Sequence, residues 1–281
     1  MTTIHLHFGR AKTGTTVLQA WLARHRDWLR ARGVHYLDTA DGGRGTGHQQ
    51  FAKAFITRPP SFMASPRRPH QTLDAAREEL VGVTEPAIVI SSENFPLADL
   101  DALRRFLTET RPDAHIRILF FARSQDELAE SQYNQMVKQK QETRSFSEYA
   151  QDAMEGGDYL ELTRQWEAVF GRGNISCDIY DARAPRIVDA FLALIPELRD
   201  AIAQRPADPA SKAGTVNAGV GIQALTVMRL LNRVDIEDRA KFYSDLQRRF
   251  APIDWPSVLF TSEWGRQFRA RYAESNRRFS E

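Results

Sequence analysis

The segment Gly9-Arg-Ala-Lys-Thr-Gly-Thr-Thr16 follows directly after Thr3-Ile-His-Leu-His-Phe8, an alternating and β-prone stretch that predicts a strand. Beyond the segment, Gly33 is placed to end a helix. The apolar residues before that glycine recur at three-to-four spacing on one helical face and are Leu18, Trp21, Leu22, Trp28 and Leu29. The sequence therefore predicts a strand, a tight loop and a helix, in that order.

A tight loop between a first strand and a first helix is a frequent phosphate site in α/β proteins, because main-chain N–H groups and the helix dipole favour an anion there. Lys12 adds a mobile cation, and Thr13, Thr15 and Thr16 add hydroxyl donors. The P-loop pattern of NTPases requires a lysine directly after its second glycine. Here Lys12 precedes Gly14, so an ordinary NTPase loop is a poor match.

β-prone runs and helical patterns alternate across residues 3–195. Such alternation is typical of an open parallel sheet with helices on both faces. The predicted fold class is therefore α/β, a three-layer open parallel sheet like that of P-loop NTPases. Further strands are predicted at 34–37, 87–92, 116–121 and 175–180, and further helices at 73–83, 97–110, 126–140, 159–170 and 187–194.

Two parts of the chain depart from this alternation. Residues 38–72 are rich in glycine and proline, with a short helical stretch at 51–55, and are predicted to be a long irregular insertion. Residues 216–281 are Arg-rich and predicted to be mostly helical. Because there is no internal repeat and no break in composition, one domain over residues 1–281 is expected.

Composition excludes several classes of protein. The 281 residues include 38 Lys+Arg and 36 Asp+Glu, a net charge of +2, and no nucleic-acid motif accompanies them, so no nucleic-acid partner is expected. A single cysteine, Cys177, excludes an internal disulfide framework. The longest uncharged apolar stretch, Ala190–Pro196, is far below the roughly 20 residues of a membrane span. Without a signal-like apolar region in the first 30 residues, a cytoplasmic location is expected.

The order Gly9-x-x-Lys12-Thr13-Gly14-Thr15-Thr16, after a strand that contains His7, resembles the 5′-phosphosulfate loop of the sulfotransferase superfamily. Members of that superfamily bind 3′-phosphoadenosine 5′-phosphosulfate (PAPS) and transfer its sulfuryl group, leaving adenosine 3′,5′-bisphosphate (PAP). The resemblance implies a donor site that needs no metal ion. The loop residues that it implies as donor contacts are Arg10, Ala11, Lys12, Thr13, Gly14, Thr15 and Thr16.

Two further segments extend the resemblance. The superfamily's 3′-phosphate site uses an arginine at the end of a strand and a serine about eight residues later, within reach across the first turns of a helix; Arg123 and Ser131 match that pattern. Gly214-Thr-Val-Asn217 is similar to the segment that closes over the 3′-phosphate and adenine in related bacterial enzymes, which makes Asn217 a candidate donor contact. Gly219 stands where a serine is usual, and a plain loop-to-helix junction is the alternative.

The candidate catalytic residues also follow from this resemblance. Lys12 would stabilise the charge that develops on the bridging and leaving oxygens. Glu93 follows a predicted strand at the sheet edge where open α/β proteins bind ligands, and a Ser-Ser-Glu segment there is similar to glycan sulfotransferases that use a glutamate base. The alternative for Glu93 is a cap on the next helix.

Histidine is the usual alternative base. His7 lies two residues before the loop, and a strand histidine hydrogen-bonded inside the sheet is the favoured interpretation over contact with substrate. His48, in the insertion, is expected to contact the acceptor, against the alternative of a surface loop.

The predicted function is a PAPS-dependent sulfotransferase that acts on a hydroxyl or amine of a small-molecule or glycan acceptor, with carbohydrates among the candidates. A P-loop nucleotide or small-molecule kinase is the alternative enzyme, and it would need Mg²⁺. A non-catalytic nucleotide-binding or glycan-binding protein of the same fold is the third alternative.

Overall fold

The computed structural model describes residues 1–9, 13–39, 45–60, 63–66, 68–139, 142–152, 157–181, 186–207, 220–250 and 259–281. Four predicted site residues lie outside these described residues, namely Arg10, Ala11, Lys12 and Asn217. The chain groups into two compact units, residues 1–122 with 162–209 and residues 123–161 with 210–281. The single domain expected from the sequence stays a prediction.

The first unit contains a five-stranded sheet in the order β2-β3-β1-β4-β5, and every strand pair is parallel. In its centre, His7 pairs with Ser91 on one side and with Leu119 on the other. The predicted α/β class with an open parallel sheet is confirmed. The strands are β1 (Thr3–Phe8), β2 (Val34–Tyr36), β3 (Ala87–Ser91), β4 (His115–Ala122) and β5 (Ile175–Ile179).

Thirteen helices are described, and they are divided between the two units. The first unit holds α1 (Thr15–Arg24), α2 (Arg26–Arg30), α3 (Gln49–Lys53), α4 (Pro69–Gly82), α5 (Leu100–Thr110), α9 (Ile187–Leu194) and most of α8 (Tyr159–Phe170). The second holds the start of α8 with α6 (Gln125–Lys138), α7 (Phe146–Asp152), α10 (Ile222–Leu231), α11 (Arg239–Phe250), α12 (Ser262–Ala270) and α13 (Ala273–Ser280). The 3₁₀ segments are Phe95–Leu97, Arg172–Asn174 and Pro196–Gln204.

Apolar side chains cover both faces of the sheet. On one face, Trp21 of α1 and Phe191 of α9 belong to one buried cluster with Phe121 of β4. On the other face, Phe8 stacks on Phe120 with ring centroids 4.7 Å apart. Trp166 of α8 stacks on Phe8 at 4.7 Å as well. Central parallel strands need apolar residues on both faces, and the uninterrupted burial of β3 meets that need.

The second unit has a separate, helical core. Tyr133 and Val137 of α6 are buried in one cluster with Phe146 of α7 and Phe268 of α12. The carboxylate of Glu130 accepts hydrogen bonds from the main-chain N–H groups of Leu259 and Phe260, at 2.6 and 2.7 Å, shortly before α12. The helical C-terminal part predicted from the sequence is present in α10 to α13.

Element boundaries differ from the prediction at several places. The first predicted helix is divided into α1 and α2 at His25, whose φ and ψ of −112° and 30° are not helical. The helical stretch predicted at 51–55 is present as α3, at Gln49–Lys53. The helix α4 begins at Pro69, inside the predicted insertion, because proline is pre-organised for a first helical turn. The short helix α7 was not predicted at all.

Among the described residues, no helix combines the length and the hydrophobicity that a membrane-spanning helix requires.

We expect Trp166→Ala to lower the free energy of unfolding by about 3–5 kcal/mol, because it leaves a cavity beside Phe8. Urea denaturation monitored by circular dichroism measures the change. Phe242→Ala, at a side chain that is 41% exposed, is the control and should change stability by less than about 0.5 kcal/mol. Equal stability of the two variants would contradict the central position of the Phe8–Trp166 stack.

Candidate functional site

The residue that follows β1 lies against the first residue of α1. A Cβ atom placed on Gly9 would lie 1.9 Å from Oγ1 of Thr15, so the main chain that enters the turn touches the side chain that ends it. Gly14, directly before α1, has a φ of 73°, a left-handed conformation that glycine adopts without strain. Gly9 and Thr15 are thus in contact where β1 ends and α1 begins.

The end of this turn has the properties of an anion site. The first turn of α1 carries no acidic residue, and its N–H groups lie at the positive end of the helix dipole. Thr13 and Thr15 are both buried. Oγ1 of Thr15 has no hydrogen-bond partner within the described residues, and an unpaired buried hydroxyl costs free energy. The turn therefore fits an oxyanion such as a phosphate or sulfate ester.

Glu93 lies beside this turn at the same edge of the sheet. Gly9 and Glu93 each follow the paired residues His7 and Ser91 by two positions. The pairing continues past the strand end, because the Ser92 N–H donates to the His7 carbonyl at 2.9 Å. The Glu93 side chain is exposed.

The alternative role for Glu93 was a cap on the following helix. The N-cap of α5 is instead Asp99, whose carboxylate accepts from the Ala102 N–H at 2.9 Å. Asn94 precedes the 3₁₀ segment without a side-chain cap. Glu93 is thus a surface carboxylate next to the anion site, in a turn that Ser92 helps to fix by accepting from the Asn94 N–H at 3.2 Å.

His7 is fully enclosed. Its Nδ1 is 2.8 Å from Oγ of Ser91, and its ring meets Phe121 and Phe191 edge-on at centroid distances of 5.9 and 5.2 Å. Burial lowers the pKa of His7 to about 3, so the ring is neutral near pH 7. This geometry matches the interpretation of a histidine bonded inside the sheet and gives no support to contact with substrate.

His48 joins the insertion to the sheet. Its Nδ1 accepts from the Ser91 N–H at 2.8 Å, which places the ring proton on Nε2, and Nε2 donates to the Leu37 carbonyl at 2.9 Å. The His48 main-chain N–H donates to the Ser91 carbonyl at 2.8 Å. Both ring nitrogens are therefore engaged with main chain, and the predicted acceptor contact would require His48 to leave these bonds.

Sequence reasoning missed Gln19, a buried amide between α1 and β3. Its Nε2 donates to the carbonyl and to Oγ of Ser91, at 3.2 and 3.1 Å. Its Oε1 accepts from Nε2 of Gln49 at 3.2 Å, and a Cβ on Gly47 would lie 2.2 Å from the same oxygen. The insertion thus contacts α1 closely at Gly47. A polar residue one turn after Thr15, beside the apolar stripe of α1, was the available signal.

Glu79 of α4 holds the start of the insertion. Its carboxylate accepts from the main-chain N–H groups of Asp38 and Thr39 at 2.7 and 2.9 Å, and lies 2.7 Å from Nε2 of His35. Burial raises the pKa of Glu79, but the hydrogen bonds from His35, Thr39 and Asp38 outweigh it and lower that pKa to about 2. The ionised carboxylate is therefore the form that the fold stabilises.

The second unit contains Arg123 and Ser131. Arg123 is the residue after β4, and its Nε is 3.2 Å from Oε2 of Glu127. Glu127 and Ser131 are spaced four residues apart within α6, which places them on one face of that helix, whereas Arg123 precedes the helix. The pairing of Arg123 with Ser131 stays a prediction, and the carboxylate of Glu127 lies between them in the sequence.

Sheet topology favours a ligand where β1 and β4 end. In the strand order, the chain continues from β1 to β2 at one edge of the sheet, whereas it continues from β4 to β5 at the opposite edge. Open α/β sheets bind their ligands at such a switch point, outside the carboxyl ends of the strands. The turn at Gly9 begins there. No cluster of metal-ligating side chains occurs among the residues that the structure describes.

We expect Glu79→Gln to lower the free energy of unfolding by about 2 kcal/mol near neutral pH. The pKa is lower in the folded chain than its ordinary 4.5, so this stabilisation is complete above pH 4.5 and is lost as the pH falls towards 2. Urea denaturation at about pH 7 and about pH 3 should show the difference between the two proteins shrinking at the lower pH. The exposed Glu109→Gln on α5 is the matched control; a gap that does not change with pH would contradict the role of Glu79.

Comparisons with known proteins give one fold-level likeness. No family model matches the chain, and no curated protein matches it. Among solved structures, the chain is similar to one titled "Crystal Structure of Sulfotransferase from Alicyclobacillus acidocaldarius". The identity is 17%, the match covers 85% of this chain and 98% of that chain, and the TM-score is 0.47. The likeness to this sulfotransferase structure is a distant one, at the level of the fold.

Proposed function

We propose that this protein is a sulfotransferase that moves a sulfuryl group from PAPS to a hydroxyl or amine of an acceptor, with PAP as the second product. The observation that carries the proposal is the closed turn between β1 and α1. Its ends meet at Gly9 and Thr15, and it holds a buried hydroxyl without a partner in the described part of the chain. The order of Gly, Lys and Thr in this turn supports a phosphosulfate over an ordinary nucleoside triphosphate.

The turn is proposed to bind the 5′-phosphosulfate through residues 10–16. The Thr15 hydroxyl and the N–H groups at the start of α1 would donate to its oxygens. Lys12 is proposed to stabilise the negative charge that remains on the 5′-phosphate as the sulfuryl group leaves. Positioning and electrostatics would supply most of the rate enhancement, because the protein forms no covalent bond in this reaction.

Glu93 is proposed as the general base. The acceptor oxygen or nitrogen would attack sulfur, the bond from sulfur to the 5′-phosphate oxygen would break, and Glu93 would take the acceptor proton. Its exposed carboxylate next to the anion site supports this role. His7 and His48 are less suited, because His7 is buried with a pKa of about 3 and both ring nitrogens of His48 are bonded to main chain.

Arg123 and Ser131 are proposed to bind the 3′-phosphate of the donor, with Asn217 as a further contact. A guanidinium offers forked donors that suit a phosphate, and a serine hydroxyl adds another. The position of Arg123 directly after β4, with Ser131 eight residues later on α6, supports this assignment. The acceptor is proposed to be a small molecule or a glycan that contacts the 38–72 insertion, and the compartment is proposed to be the cytoplasm.

Calorimetric titration tests the donor site. We expect adenosine 3′,5′-bisphosphate to bind with a Kd of about 1 μM without any metal, and Arg123→Ala to weaken it about tenfold or more, because charge-assisted bonds to the 3′-phosphate are lost. Arg172→Ala, at a guanidinium side chain that is 83% exposed, is the matched control. ATP binding that depends on Mg²⁺, without preference for the bisphosphate, would favour a kinase. No binding of any nucleotide would also contradict the proposal.

Glu93→Gln separates chemistry from donor binding. With an acceptor found by screening sugars, phenols and amines, we expect kcat to fall about 10²- to 10⁴-fold, because the amide cannot take the proton. The Kd of the bisphosphate should stay within about twofold of that of the unaltered protein, since Glu93 is not proposed to contact PAP. Asp99→Asn, the nearby cap of α5, controls for the loss of a carboxylate. An unchanged pH–rate profile in Glu93→Gln would exclude Glu93 as the base.

A further inference from the structure

One tyrosine hydroxyl bonds to both main-chain polar groups of Arg123. The hydroxyl of Tyr159 accepts from the Arg123 N–H at 2.9 Å and donates to the Arg123 carbonyl at 2.7 Å. Tyr159 is the first residue of α8 and is only 3% exposed. Arg123 is the one residue between the end of β4 and Ser124, the N-cap of α6. The hydroxyl therefore fixes the main chain at this junction.

The Arg123 side chain is restrained as well. Its Nε contacts the Glu127 carboxylate at 3.2 Å, and the side chain is 14% exposed. A long arginine that is free in solution loses rotamer entropy when it binds a ligand, and prior restraint reduces that loss. Arg123 is thus held at its main chain by Tyr159 and at its side chain by Glu127.

The C-terminal helix supports the tyrosine. Phe279 of α13 packs against the Tyr159 ring with centroids 5.9 Å apart. Next to the tyrosine, Asp158 accepts from the Ser275 hydroxyl at 2.5 Å. Asn276 exchanges two side-chain hydrogen bonds with Gln125, the first residue of α6, at 2.7 and 3.3 Å. The helix α13 thereby contacts both Tyr159 and the start of α6, which follows Arg123.

We propose that Tyr159 is a positioning residue that sets Arg123 to receive the 3′-phosphate of the adenine nucleotide; this inference rests on the proposed function. Tyr159 acts through Arg123 and is not assigned a contact with the ligand. The preference for a nucleotide that carries a 3′-phosphate over one that lacks it depends on this hydroxyl. Tyr159→Phe keeps the ring and removes both bonds to Arg123.

The measured quantity is the ratio of two dissociation constants, that of adenosine 5′-monophosphate divided by that of adenosine 3′,5′-bisphosphate. We expect Tyr159→Phe to lower the ratio about tenfold, because it frees Arg123 and leaves the 5′-phosphate site intact. Tyr243→Phe is the matched control, since its buried hydroxyl lies in the same unit and donates to the Met228 carbonyl at 2.9 Å. A purely structural role would reduce stability and leave the ratio unchanged.

The outcomes distinguish this inference from the proposed function. If the unaltered protein shows no preference for the bisphosphate, both are overturned. If the unaltered protein shows the preference and Tyr159→Phe retains it, only the positioning role of Tyr159 is overturned. Should Tyr159→Phe fail to fold, Phe279→Leu replaces it, with an expected fall of about threefold because the ring support is reduced but the hydroxyl remains. An unchanged ratio in that variant would equally overturn the role of Tyr159.

Discussion

The parallel register of β1 between β3 and β4 is the constraint on which the site depends. Because His7 pairs with both Ser91 and Leu119, three strands end at one edge of the sheet. The closed turn begins there at Gly9, and Glu93 leaves the sheet beside it. A slip of one residue would reverse the face of every side chain in β1, so the apolar cores on the two faces hold the register in place.

Buried polar groups fix the same edge from within. Ser91 is hydrogen-bonded to His7 of β1, to Gln19 of α1 and to His48 of the insertion. Such a network is costly when any member is unpaired, and it therefore specifies one arrangement of the three segments. Histidines near the site act as structural members of this network, whereas Glu93 remains exposed to solvent. The residues of this buried network are thus distinct from Glu93, the proposed base, at the same edge of the sheet.

Local sequence pattern accounts for much of the fold. The bounds of β1, α8 and α9 agree with the prediction, because their periodicity is strong and their ends carry clear signals. The break at His25 and the short helix α7 were not predicted, since packing rather than propensity determines such short pieces.

The site was predictable only in part. The closed turn, Glu93 and the Arg123–Ser131 spacing all lie in local patterns that a sequence displays. The bonds of Gln19, His48 and Tyr159 join residues 72, 43 and 36 positions apart, and nothing in the local sequence indicates them. The contact between Gly9 and Thr15 also makes the side chain at position 15 a limit on which residues position 9 accepts. No residue with a Cβ atom fits at position 9 while Thr15 keeps its place, so a side chain at position 9 would require Thr15 to move or to be replaced.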